Sequence, residues 1–402
     1  MPELNEPISL NKTSPQSFML FAYPFRIFFL SVAMWALLIV PLWLLVITGA
    51  INLPLALPPL QWHRHEILFG LLNPAIAGFL LTAVCVWTQT ERTHGNKLIA
   101  LWLVWLAGRV TMLFGESILF GERAPLAAVI TVNLAFLPLV MLDAGWRIVR
   151  ARQYKQVMLL IVLGLLWAMQ AAVLITGELR YVHAALILAC ALMLIIGGRI
   201  TPAFSINWLK RNGHSNPPVA TLPLLEKILL PLILGLCIAT LLDASLAINA
   251  LALCAASISL LRLFFWRGWL IRAEPLLWIL HISLLWIPVG LLLFALGELQ
   301  LLPQNSWQHA IGIGAMGGLI LGVMTRVSLG HTGRPLTLSA GIVSSYWLMQ
   351  AAVILRLFTA FDLLPWQTGL TASGVCWMLA FALFLWRYVP VLISPRVDGL
   401  RG

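Results

Sequence analysis

Leu60 to Thr88 reads LQWHRHEILFGLLNPAIAGFLLTAVCVWT, an apolar segment of membrane length whose entrance carries a tryptophan, two histidines and a glutamate. A helix rising about 1.5 Å per residue needs about 20 residues to cross the roughly 30 Å of bilayer hydrocarbon. Ionisable groups at the edge of such a span are costly and are usually kept there for a task. A second stretch, Gln308 to Arg334, repeats the pattern as QHAIGIGAMGGLILGVMTRVSLGHTGR. Four of the eight histidines fall in these two stretches.

Working outward, hydrophobic residues make up 61% of the 402 and charged residues only 10%. That excludes a soluble globular protein, in which roughly 25% of residues are charged. Apolar runs lie at about 26–49, 65–88, 97–114, 124–142, 156–176, 181–198, 224–242, 245–264, 275–297, 308–325, 336–358 and 367–388. Each is near the length of one membrane span. The expected fold is an all-α integral membrane protein, a bundle of about 12 transmembrane helices. It forms a single polytopic domain over 1–402, with a polar N-terminal segment over 1–17 and a tail over 391–402. The first span is too long for the apolar region of a cleaved signal peptide. Pro74, Pro138 and Pro288 interrupt spans, and the bends they impose are expected to open room for a ligand. The longest loop is expected around Thr201 to Thr221.

Placing both termini in the cytoplasm leaves only Arg64, Arg109, Arg123, Arg180 and Arg356, about five of 25 basic residues, on the outer side. This is the positive-inside bias. The net charge of +11 then reflects topology and anionic lipid, and needs no nucleic acid as partner. All five cysteines fall in apolar runs, with no CxxC or CxxCH, so they read as small packing residues.

Topology sorts the histidines by depth. An outer group comprises His63, His65 and His309, with Arg109 and Arg356 near the same level. An inner group comprises His281 and His331, with Arg199, Arg326 and Met324 nearby. His94, His183 and His214 read as interfacial polar residues. Neutral imidazole is the usual protein ligand of haem iron and also suits copper, and helix bundles hold metals with histidines from different helices at one depth. A neighbouring arginine can neutralise a haem propionate. On a helix, His63 and His65 point about 200° apart and would serve different sites. The opposing interpretation has each histidine bonded to backbone carbonyls or headgroups. There is no HH pair or HxxxY of a haem–copper oxidase, and no Walker A, GxSxG or HExxH motif. The turn QTERTHGNK lacks the signature of facilitator-type transporters. GAMGG reads as a face for close helix packing.

WHRHEILFG, AGFLLTAV, LWLAGR, GGRITPAF, HISLLWIPVGLLL and QHAIGIGAMGGLILGVMTRVSLGHTGRPL, preceded by YPFRIFFLS, occur in that order from about Tyr23 to beyond Pro335. Together they resemble the NnrS family. The resemblance implies a bacterial inner-membrane protein of about twelve spans, associated with haem and copper and with resistance to nitric oxide. Carried over residue by residue, it points to His63, His65, Glu66, Arg109, Arg199, Thr201, Pro202, His281, His309, Met324, Arg326, His331 and Arg334. The chain departs from the family pattern at Asn73–Pro74 and Cys85–Val86. The expectation is a membrane protein with haem b held by histidines of the outer group and a second haem or a copper at the inner pair, acting on nitric oxide or nitrosyl species. It would be a haem-dependent oxidoreductase supplied by a membrane electron donor. The alternative is a transporter or protective binding protein without turnover, which Asp143 and Asp243 support little because both fall near span ends.

Overall fold

A computed structural model describes residues 19–115 and 126–400. The polar segment 1–17, Arg123 and Arg401 lie outside the described residues. Among the described residues, twelve helices are long and apolar enough to cross a membrane: α1 (Pro24–Ile47), α2 (Pro59–Thr88), α3 (Gly95–Phe114), α4 (Leu126–Arg150), α5 (Tyr154–Thr176), α6 (Leu179–Arg211), α7 (Pro223–Leu241), α8 (Ser245–Trp266), α9 (Pro275–Glu298), α10 (Ser306–His331), α11 (Ala340–Ala360) and α12 (Trp366–Ile393). No strand occurs among the described residues. The protein is an all-helical, multi-pass membrane protein.

Consecutive helices pack side by side from α3 through α12, and α12 closes on α1. α1 then packs on α2, which packs on α4. The most apolar windows of α2 and α10 are 83% and 78% buried and those of α6 and α9 are each 61% buried, against 44% or less elsewhere. These four helices form the centre. Small residues allow it. The indole of Trp286 lies over Gly314, and a Cβ at Gly317 would come within 2.6 Å of the Trp377 ring. The close packing expected of GAMGG is therefore present, with two tryptophans filling the space that side chains would take.

One sequence expectation fails here. Thr201 to Arg211 is not loop but the last three turns of α6, and Pro202 lies inside the helix without ending it. Leu209 is buried with Ile271 and Leu277 in a small second core, and that burial holds the extra turns in place.

Two central helices share an irregularity. In α2 an α-helical start, Pro59–His65, passes into a π-helical segment, Glu66–Gly70, before the α-helix resumes at Leu71. In α10 the α-helical start Ser306–His309 passes into a longer π segment, Ala310–Gly317. A π segment adds a residue to the turn and re-aims the side chains around it, and such segments are frequent at functional sites. Each here begins directly after a histidine.

The two described ends of the chain meet at one face of the bundle. Arg26, near the start of α1, is fully buried. Its Nη1 donates to the carbonyls of Leu392 at 2.5 Å and Ser394 at 2.7 Å. A cation thereby neutralises the negative end of the α12 dipole and satisfies carbonyls that have no partner in the helix.

Candidate functional site

The π segment of α2 assembles a buried polar network across four helices. His65 and Glu66 are fully buried and Arg109 is 5% exposed. His65 Nδ1 lies 2.8 Å from Glu66 Oε1, and Gln170 Nε2 donates to His65 Nε2 at 3.2 Å. An ionised carboxylate can only accept, so the His65 proton sits on Nδ1 and Nε2 is the acceptor. Neither ring nitrogen is free in this arrangement. Gln170 Oε1 accepts from Asn73 Nδ2 at 3.1 Å. Glu66 Oε2 approaches Arg109 Nη1 at 3.1 Å as an ion pair without hydrogen-bond alignment, and Arg109 Nη2 donates to Asn133 Oδ1 at 2.5 Å. The guanidinium lies 5.9 Å from the rings of both Trp35 and Trp105.

Gly70 is the point on which this network closes. A Cβ there would lie 2.7 Å from Glu66 Oε2 and 3.0 Å from Trp35 Nε1, and would collide with Arg109 Nη1. The Gly70 carbonyl accepts from Trp105 Nε1 at 3.1 Å. The chain therefore needs a residue without a side chain at this position. Several buried polar atoms, Trp35 Nε1, Trp62 Nε1, Glu66 Oε2 and Asn73 Oδ1 among them, have no hydrogen-bond partner in the structure. Such atoms are rare in folded proteins, where nearly all buried polar groups are satisfied.

His63, two residues earlier, faces elsewhere. Its ring stacks on Trp43 with centroids 4.2 Å apart and planes 14° from parallel. His309, Arg356 and Arg64 lie within electrostatic reach of it, and its Nδ1 is buried with no hydrogen-bond partner. His309 Nδ1 lies 2.9 Å from the carbonyl of Asn305. A carbonyl can only accept, so Nδ1 carries the proton and the neutral ring leaves its Nε2 lone pair unused. Arg356 makes no hydrogen bond or ion pair among the described residues. Of the outer group, His309 and Arg356 thus lie within electrostatic reach of His63, and His65 and Arg109 sit in the polar network.

The inner group is not one cluster. Ser205 Oγ lies 3.1 Å from His281 Nε2, and the imidazole packs against Gly268 and edge-on to Trp266. The His331 ring instead lies 5.8 Å from that of Tyr23 and 5.6 Å from that of Phe25. Arg199 is exposed and donates to Gln156 Oε1 at 2.5 Å, and the Arg326 guanidinium stacks 3.9 Å from the Phe204 ring centre. Met324 lines a narrow apolar cleft of about 70 Å³ between α1, α2, α6 and α10, together with Phe29, Ala75, Met193 and Met316. Such a space suits apolar or soft partners. No group of three or more His, Cys, Asp or Glu side chains is arranged to hold a metal among the described residues.

Sequence reasoning did not single out Gln170, Asn133, Trp35 or Trp43. The first two carried a usable signal, since a lone amide inside an apolar span must find a partner on another helix. His183, read as interfacial, meets Gln308 Nε2 at 2.7 Å and Trp307 edge-on, beside the outer pair in sequence.

Twelve spans, a central quartet of helices and a buried network beside a histidine pair define a multi-pass membrane protein with a polar centre near one face. The chain matches the family described as NnrS protein over residues 19–396, nearly its whole length, and belongs to that family. It is accordingly a membrane protein of the nitric oxide response. The chain has no match among curated proteins.

Proposed function

We propose that the protein lies in the bacterial inner membrane with both ends cytoplasmic, and that it holds haem b at the His63–His309 pair to act on nitric oxide or nitrosyl species. Copper is the second candidate for the same donors. The observation that carries the reading is the His309 Nδ1 contact with the Asn305 carbonyl. Metal-binding histidines characteristically donate their other N–H to a carbonyl or carboxylate, which fixes the tautomer and aims the remaining nitrogen. The residues present fit such a group. His63 has a buried ring nitrogen with no partner, its ring stacks on Trp43, and Arg356 lies within electrostatic reach as a cation for a carboxylate.

When bound, a haem supplies a redox-active iron, fed by a membrane electron donor in an oxidoreductase reading. The protein does the rest. Trp43 holds the His63 plane, Asn305 keeps the His309 proton on Nδ1, and Arg356 offers charge for a propionate. The network around Glu66 and Arg109 locks the first turn and π segment of α2, on which His63 rides. His65 supports the site by packing and is not needed as a ligand.

The test is a pyridine haemochrome assay and metal analysis on detergent-purified protein, with His63→Ala, His309→Ala and His65→Ala. Loss of haem in the first two, and lowered stability with haem retained in the third, is the expected result. Full haem content in both His63→Ala and His309→Ala would sink the assignment.

A further inference from the structure

The first spans and the last follow one plan. α1 and α9 are each 24 residues long and start with a proline, and they carry a tryptophan at the same place, Trp35 and Trp286. α2 and α10 both open on a buried tryptophan, Trp62 or Trp307, followed by a histidine and then a π segment. Within those segments Gly70 lies against Trp35 and Gly314 against Trp286. α3 and α11 each carry an arginine in their last two turns, Arg109 and Arg356. An even number of spans separates each pair, so the counterparts cross the membrane in the same sense.

The register of the helices carries the likeness into the site. In the first unit Trp105 Nε1 donates to the Gly70 carbonyl at 3.1 Å. One turn nearer the entrance of α2, along both antiparallel helices, Glu66 meets Arg109 at 3.1 Å. In the second unit a Cβ on Gly317 would come within 3.2 Å of Met349 Sδ, which fixes the level of α10 against α11. An equal number of residues nearer the entrance, these two helices carry Ala310 and Arg356. Arg356 lies within electrostatic reach of His309, the neighbour of Ala310. Ala310 is fully buried and opens its π segment, as Glu66 opens the other. The first unit therefore has a carboxylate built in, and the second has a methyl group at the matching position. Arg356 makes no hydrogen bond or ion pair among the described residues. A cation inside a span without a counter-charge is costly and is usually kept for a task.

We propose that Arg356 takes the carboxylate of a bound molecule where Arg109 takes Glu66, and that Ala310 is the specificity-determining residue that leaves this place open. A guanidinium matches a carboxylate with two parallel N–H···O bonds, whether a side chain or a ligand supplies the oxygens. The site adjoins the candidate histidine pair, since His63 and His309 are both within electrostatic reach of Arg356. It rests on the haem reading only for the identity of the molecule, whose carboxylate is then a propionate. A free monocarboxylate offers the same chemistry.

The experiment uses detergent-purified wild type, Ala310→Glu, Ala310→Gln and Arg356→Gln, and each Ala310 variant combined with Arg356→Gln. Thermal unfolding is read with and without acetate, and binding of haemin is compared with that of its dimethyl ester, in which both propionates are masked. Ala310→Glu should unfold at a higher temperature than Ala310→Gln while Arg356 is present, and at a lower one once Arg356 is replaced. Haemin should bind the wild type about tenfold more tightly than the ester, and that preference should vanish in Arg356→Gln and in Ala310→Glu. No binding of haemin, with acetate protecting the wild type but not Arg356→Gln, would sink the haem reading and leave a free carboxylate as the ligand of Arg356. Should Ala310→Glu not fold, the haemin and acetate comparisons on Arg356→Gln decide alone. The proposal is overturned if haemin, its ester and acetate act alike on the wild type and Arg356→Gln.

Discussion

The entrances of α2 and α10 use one backbone device for opposite ends. Each is a short α-helical start that ends on a histidine and runs into a π segment. In α2 the histidine is locked, with Glu66 on one nitrogen and Gln170 on the other. In α10 the histidine is tethered by one nitrogen only, to its own helix through Asn305. The comparison teaches that a π segment does not by itself make a ligand. What decides is whether other helices present groups to the ring. In the network of His65, residues from α3, α4 and α5 converge, whereas His309 is bonded only to a carbonyl at the start of its own helix.

The difference can be broken most severely at the ion pair. Arg109→Ala leaves Glu66 buried and uncompensated, and should cost about 3–5 kcal/mol in detergent unfolding. Replacing Glu66 and Arg109 together by Leu should cost less than either single change, because no lone charge remains. Gly70→Val should destabilise comparably by driving a side chain into Glu66, Trp35 and Arg109.

The histidines themselves give the sharper contrast. His65→Ala strips partners from two buried groups and should cost about 1–3 kcal/mol in the same assay. His309→Ala breaks one contact that an exposed carbonyl can replace with water, and should cost under about 1 kcal/mol. Equal losses at the two positions would show that the distinction between locked and tethered rings is wrong. Trp43→Leu, which removes only the stacked ring from His63, should cost about 0.5–1.5 kcal/mol beyond the area lost. Its clearer readout is a shifted optical spectrum if a haem sits on His63.

The smallest effect belongs to the tail. Hydrogen bonds from Arg396 hold the Asp398 carboxyl down to about 2. A lowered carboxyl contributes order that is fully present above its ordinary value near 3.8 and fades as pH falls toward 2. Hydrogen exchange at Leu400, whose N–H donates to Asp398, should therefore stay protected down to about pH 4 and lose protection below it. Asp398→Asn should remove that pH dependence.

Much of the fold is legible in the sequence, because length and apolarity mark each span whatever it packs against. The centrality of α2 and α10 is less so, since surfaces facing lipid and surfaces facing protein are equally apolar when water is absent. The π segments leave no trace in residue type: EILFG reads as ordinary helix. The opposed directions of His63 and His65 follow from helical geometry. That His65 would be enclosed follows only from Gln170, more than a hundred residues away, arriving beside it. The inner pair shows the limit of sorting by depth. His281 and His331 fall toward the same side by topology, but one rests on Gly268 and Ser205 and the other on Tyr23 and Phe25.

The capping of α12 by Arg26 has a consequence for how the chain is made. Arg26 lies in the first of the described spans, and the carbonyls it caps lie at the end of the twelfth. Until α12 is inserted, those acceptors do not exist and α1 cannot close the ring. The guanidinium thus ties closure of the bundle to its last described span: a chain stopped before residue 390 would lack the carbonyls at the end of α12 that Arg26 caps.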